Sequence, residues 1–275
     1  MKCFFILCAC LGLSFSLSAQ QNDMFPTDYE CLYEYTIQVK DGVKESYSTI
    51  LQIGTACAYF TDYTSYQLDS VRCASNPDEK TLLHYGQQVL HNEFFFDQSV
   101  LQNYPKGKKT VYSVITPDYY RYEERNDLIN WELQNDTTTI CGYNCNKATC
   151  SYGGRKWMVY YTTEIPVQFG PWKFSGLPGL IMAATDDENI HTFTAIGFRK
   201  NNVPISVPKY QVIETTREKF LKSKNRFEEN PMKNLPPESI SAMTVIKSDN
   251  GGGAVMINGV QLRMHPNGYI PLEIE

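Results

Sequence analysis

The chain has 275 residues, 25 of them basic and 30 acidic, for a formal net charge of −5 at neutral pH. No basic block and no interleaving of aromatic with basic residues offsets that acidity, which argues against nucleic acid or an anionic membrane as the main partner. Aromatic residues make up 13% of the sequence, including 19 tyrosines and 14 phenylalanines, a composition suited to the faces of β-sheets.

Met1 and Lys2 precede an apolar stretch from Cys3 to about Leu17, followed by the small residues Ser18 and Ala19 and the polar run Gln20-Gln21-Asn22-Asp23. That layout predicts a secretory signal peptide over residues 1–19, leaving residues 20–275 as a single mature domain. The apolar stretch is too short for a membrane span, and no second run of about 18 apolar residues follows, so no transmembrane segment is expected in the mature chain. Cys8 and Cys10 lie inside the apolar stretch, with Leu11 to Leu17 still to come, which disfavours a lipidated N-terminus.

Cys31 to Val39 alternates apolar and polar residues, Asp41-Gly42 offers a tight turn, and Lys44 to Ile53 returns as the second arm of a hairpin. Asp62 to Val71 and Pro77 to Gln88 are helix candidates. In Phe94-Phe95-Phe96 the alternation sets Phe95 opposite its neighbours, so one ring needs a second apolar environment. Lys109 to Ile115 and Tyr119 to Glu123 flank Pro117-Asp118 as strands, and Asn144 to Tyr152 pairs with Lys156 to Thr163 across Gly153-Gly154.

Leu177-Pro178-Gly179-Leu180 reads as a type II turn, with Pro178 fixing its φ and Gly179 supplying the positive φ that such a turn requires. Ile181 to Thr185 then pairs with Thr192 to Phe198 across the polar turn Asp186 to Asn189. Thr215-Thr216-Arg217-Glu218 resembles a capping box opening a helix to about Glu229, with Phe220, Leu221, Lys224 and Phe227 on its core face and Arg217 among its solvated bases. Pro231, Pro236, Pro237 and Gly251 to Gly253 mark loops, and Met256 to Leu262 reads as a small hairpin. The fold class expected is mainly β, a curved antiparallel sheet or half-open barrel with a few covering helices, with α+β as the alternative.

Several of these segments carry a resemblance. Gly176-Leu177-Pro178-Gly179-Leu180-Ile181, preceded by Gly170-Pro171-Trp172, is similar to the signature of the GLPGLI family of exported Gram-negative envelope proteins. Cys141 to Thr149, Gly154 to Trp157 and Tyr160 to Pro166 resemble that family's pattern in the same order, strongest over residues 140–200. Tyr269-Ile270-Pro271-Leu272-Glu273 is similar to the tail of many members. The resemblance implies an envelope protein of undefined activity and carries no catalytic residue. The strand rhythm also resembles the half-open barrels of periplasmic lipoprotein carriers, a likeness of fold that does not establish lipid carriage.

Of nine cysteines, loss of Cys3, Cys8 and Cys10 leaves Cys31, Cys57, Cys73, Cys141, Cys145 and Cys150. An even set in an oxidising compartment predicts up to three disulfides, their pairing open. Cys141, Cys145 and Cys150 lack both a C-x2-C knuckle and a nearby histidine, so structural disulfides are preferred to zinc. Asp69-Ser70-Val71 and Asp136-Thr137-Thr138 resemble bacterial O-glycosylation tripeptides, making Ser70 and Thr137 candidate acceptors.

No nucleophile elbow, zincin helix, Walker loop or dinucleotide fingerprint is present, so no catalytic residue, cofactor or metal is assigned. His84 and His91 are spaced to share a helix face, and Asp186-Asp187 and Glu123-Glu124 sit in a turn and across a strand, which does not imply acid–base work. The functional expectation is a non-enzymatic protein of the periplasm or outer-membrane periphery that binds a hydrophobic ligand or an envelope protein. The alternatives are a hydrolase with an unrecognised site and a purely structural envelope component.

Overall fold

The computed structural model describes residues 24–39, 42–72, 76, 78–91, 96–116, 118–207, 211–229, 241–247, 253–257, 260–264 and 269–274. The expected signal peptide, Cys73, Phe94, Phe95 and His265 lie outside the described residues.

After the short β1 (Met24–Phe25), β2 (Tyr29–Gln38) and β3 (Lys44–Ile53) form the hairpin expected from their alternation, with Tyr29 opposite Ile53 and Gln38 opposite Lys44. Alternation turns Cys31, Tyr33, Tyr35 and Ile37 inward, and none is more than 1% exposed. The chain then meanders outward through β4 (Ala58–Asp62), β5 (Gln98–Gln102), β6 (Lys108–Ile115) and β7 (Asp118–Arg125). Helices α1 (Tyr63–Arg72) and α2 (Glu79–His91) fall between β4 and β5, within a few residues of the expected positions.

From β7 the chain crosses to the far edge as β8 (Glu132–Ile140) and returns through β9 (Tyr143–Tyr152), β10 (Arg155–Thr162) and β11 (Leu180–Asp186) to β12 (His191–Lys200). β12 closes the meander by pairing with β2, with an irregularity between Ala195 and Gly197. β13 (Ile205–Ser206) pairs with β1, and β14 (Val212–Glu214) adds in parallel to the free edge of β7. The result is a curved, unclosed twelve-stranded sheet with β14 at one edge and β8 at the other. The expectation of a mainly β fold with a few covering helices therefore holds.

Cross-sheet bonds show how far the sheet curls. Tyr152 of β9 donates to Glu124 of β7 at 2.7 Å although eight strands separate the two in the sheet order.

Helix α3 (Arg217–Glu229) lays Phe220 and Lys224 inward, as its periodicity predicts. Its N-cap bond comes from Thr216, whose Oγ1 accepts from the Lys219 amide at 3.4 Å, and Thr215 and Glu218 form no capping box. The expected small hairpin lies within a three-stranded sheet, β15 (Met243–Lys247), β16 (Gly253–Ile257) and β17 (Val260–Met264), whose Val255 and Ile257 pack on Phe227. Among the described residues no helix is long and apolar enough to cross a membrane.

Candidate functional site

Residues 163–179, the connection from β10 to β11, carry most of the signature-like motif and cross the inner face of the sheet. Gln102 of β5 donates to the carbonyls of Gly170 and Trp172 at 2.8 and 2.7 Å, and Trp172 Nε1 donates to Gln98 Oε1 at 2.8 Å. Five strands lie between β5 and β10 in the sheet order, so the connection spans the trough. Trp172 and Phe174 are fully buried there, with ring centroids 5.3 Å apart, and Phe174 meets Trp157 at 4.9 Å. These edge-on contacts fill the interior with aromatic carbon.

Close backbone approach explains the signature's glycines better than a type II turn does. Gly179 does not take a positive φ; a Cβ there would sit 2.0 Å from the Thr162 carbonyl oxygen. At Gly170 a Cβ would sit 2.6 Å from that of Ile181. The expected turn at Leu177 to Leu180 is thus corrected: within the hexapeptide the positive φ, +98°, falls on Gly176. Leu180 and Ile181 donate back to Ile165 and Phe169, and Tyr33 donates to the Ile181 carbonyl at 2.7 Å.

Between the two buried rings, Lys173 sends its ammonium into a buried polar cluster. Its Nζ donates to Glu273 at 2.6 Å and to the Tyr122 hydroxyl at 3.0 Å, and lies 3.4 Å from Glu124. Burial alone pulls this ammonium down, but the two carboxylates outweigh it and hold it above the ordinary lysine range. Arg217 reaches the same carboxylates, at 2.8 Å from Glu273 and 3.5 Å from Glu124. It is therefore part of the cluster and not one of the solvated bases expected on α3.

Lys109 is the third cation, opposite Glu124 in the β6–β7 register and fully buried. Its Nζ donates to the Asn126 carbonyl at 3.5 Å, and burial, only partly offset by Glu124, pulls its ammonium down to about 8. Alternation separates Glu123 from Glu124. Glu123 faces outward to Lys108 and Arg121, and Glu124 faces the cluster.

An open cleft of about 650 Å³ adjoins this cluster, walled by Tyr152, Arg155, Lys156, Asp187, Glu188 and Arg217. The C-terminal segment forms one lip, where Arg155 donates to the carbonyls of Pro271 and Leu272 and to Asp186, and Ile274 donates to Gly153. Of the resembling segments, Gly154 to Lys156 line the cleft itself, while Lys173 and Glu273 of two others meet in the buried cluster beside it. A smaller pocket of about 220 Å³ is lined by Leu32, Tyr63 and Phe198 with Glu30 and Arg199.

His191 is fully buried, its Nδ1 2.8 Å from the Tyr35 hydroxyl. Burial, helped by Arg155, pushes it down to about 3, so it stays neutral. Asp186 accepts from the amides of Ile190 and His191 and closes the β11–β12 turn. His84 is exposed on α2. Cys31, Cys57, Cys145 and Cys150 are buried free thiols and Cys141 an exposed one, so the expected disulfides are not formed among the described residues. Among those residues no group of three or more His, Cys, Asp or Glu is placed to hold a metal. Thr137 is exposed on β8 and Ser70 is half-buried on α1.

Comparison with known proteins adds little about activity. A family model described as a protein of unknown function, Porph_ging, matches residues 154–183, which hold β10, the crossing segment and the start of β11. No curated protein matches the chain. The structure of PNGF-II superposes with a TM-score of 0.50 at 15% identity, over 84% of this chain and 41% of that one. The likeness is one of fold, and this chain spans about two-fifths of the length of that structure. The LolA superfamily protein NE2245 from Nitrosomonas europaea gives a TM-score of 0.28 at 6% identity, over 67% of this chain and 92% of that one.

Proposed function

We propose that this chain is an exported envelope protein, of the GLPGLI type, that binds a partner protein at its charged cleft. The observation that carries the reading is the complete burial of Trp172, Lys173 and Phe174 on the inner face. A carrier of apolar ligands would need that space open. The 650 Å³ cleft instead presents Arg155, Lys156, Asp187, Glu188 and Arg217, and walls of both charge signs suit recognition of a complementary polar surface.

Location in the periplasm or at the outer-membrane periphery rests on the N-terminal signal pattern. A hydrolase is the weaker reading, because His191 is sealed in the core and the carboxylates Glu124 and Glu273 are engaged by Lys173 and Arg217. One observation favours a second reading, a small ligand with an apolar body. The 220 Å³ pocket sets Leu32, Tyr63 and Phe198 beside the Glu30–Arg199 ion pair.

The test is a pair of native and denaturing mass spectra of the chain from Gln20 onward, purified from a periplasm, together with Lys156→Glu. The reading predicts an unliganded mass and a salt-sensitive complex with an envelope protein that Lys156→Glu abolishes. An extra mass that is lost on denaturation, recovered in an apolar extract and retained by Lys156→Glu would contradict it and favour the small pocket.

A further inference from the structure

Four non-glycine residues among those described have a positive φ: Asn103, Cys141, Trp172 and Asn189. Asparagine enters this region at little cost, whereas tryptophan and cysteine do not, so at Trp172 and Cys141 the side chain and not the backbone decides the residue. Trp172 is held by the core it fills. Cys141, in the β8–β9 turn with φ +50°, sends its thiol inward to donate to the Ala195 carbonyl at 3.0 Å.

That contact lies on the central strand pair. Ala195 is opposite Tyr33, and Phe198, past the irregularity in β12, is opposite Cys31. Tyr143, two residues after Cys141, meets the Phe198 ring edge-on at 6.2 Å, so the whole turn is folded onto this end of β2 and β12. Cys31 faces inward at the same end, fully buried and free. We propose that Cys31 and Cys141, free thiols in this structure, are the two halves of a disulfide that forms on oxidation and ties the β8–β9 turn to β2.

The step balances with a disulfide donor such as oxidised glutathione. The exposed Cys141 thiolate attacks one donor sulfur, breaks its S–S bond and expels one glutathione thiolate. Cys31, as thiolate, then attacks the Cys141 sulfur of the mixed disulfide and expels the second glutathione. Two thiol protons pass to solvent or to the departing thiolates, and two electrons reduce the donor. Burial pushes the Cys31 thiol up to about 12, so the second step is slow once β2 is packed and fastest during folding.

The chain from Gln20 onward is refolded with reduced and oxidised glutathione, alkylated, digested without reduction and analysed by mass spectrometry. The expected result is a linked pair of peptides carrying Cys31 and Cys141, with an intact mass lower by about 2 Da for each bond formed. The link persists in Cys145→Ser and is lost in Cys141→Ser, which changes an exposed turn and avoids the folding risk of Cys31→Ser. Recovery of alkylated Cys31 from the oxidised wild-type chain, or a link that survives Cys141→Ser, overturns the proposal.

Discussion

The Lys173 ammonium donates a 2.6 Å hydrogen bond to the Glu273 carboxylate across 100 residues of chain, and neither side chain is more than 1% exposed. One residue belongs to the signature segment and the other to the C-terminal segment, so the bond ties the filling of the trough to one lip of the cleft. With Glu124 and Arg217 completing the cluster, the signature segment becomes a fixed part of the core.

Lys173→Met removes one partner of a buried ion pair and leaves Glu124 and Glu273 with Arg217. The expected loss is about 3–5 kcal/mol, read from urea unfolding. Adding Glu273→Leu restores part of it, giving a coupling energy of about 1 kcal/mol or more in the double-mutant cycle. Strictly additive losses would show that the two residues do not act as a pair.

Lys109→Met acts in the opposite direction. With a folded pKa near 8 and an unfolded value of 10.5, the native state binds fewer protons than the unfolded chain between these limits. Stability is therefore gained as pH rises from 8 to 10.5 and is missing below 8, by about 3 kcal/mol at most. Replacement by methionine stabilises the protein at pH 7 by about 1–3 kcal/mol, an advantage that shrinks toward pH 10.5. Destabilisation at pH 7 would contradict the placement of Lys109.

His191 governs an acid limb. Its folded pKa lies near 3 against 6.5 for an ordinary histidine, so the unfolded chain takes up a proton that the native chain refuses. The corresponding stability is present above pH 6.5 and is lost as pH falls toward 3. In His191→Gln the slope of stability against pH over that window falls by about one proton. An unchanged slope would show that His191 is not the titrating group.

Gly179→Ala places a methyl group 2.0 Å from the Thr162 carbonyl oxygen, a backbone atom that cannot turn aside. A loss of about 2 kcal/mol or more is expected in thermal unfolding. Gly86→Ala, inside α2 with nothing near its Cβ, serves as the control and stabilises by about 1 kcal/mol. Equal effects at the two sites would remove close approach as the reason for the signature's second glycine.

Strands with one face inward were legible from the residues. The β2–β3 hairpin followed from alternation and Asp41-Gly42, and the β9–β10 hairpin from Gly153-Gly154. β4 was not, because all five of its residues are buried and its pattern has no period. β8 failed for the opposite reason, as Glu132 to Thr139 are exposed on both faces and only pairing with β9 makes them a strand. The signature was visible as a motif, yet its glycines were assigned to a turn because close approach of β10 and β11 is a tertiary fact. Lys173, between two aromatic residues, is silent in the sequence, since nothing local signals an ion pair with a carboxylate 100 positions away.

The signature segment permanently fills the sheet. Native-state hydrogen exchange at the amides of Phe174 and Gly176, bonded to the carbonyls of Pro171 and Gln168, is the decisive measurement. These amides are expected to exchange only through global unfolding, with the same opening free energy as Tyr33 and Phe193 in the central strands. Exchange by an opening several kcal/mol easier than that of the central strands would show that the segment swings out, and that the trough can open to a ligand.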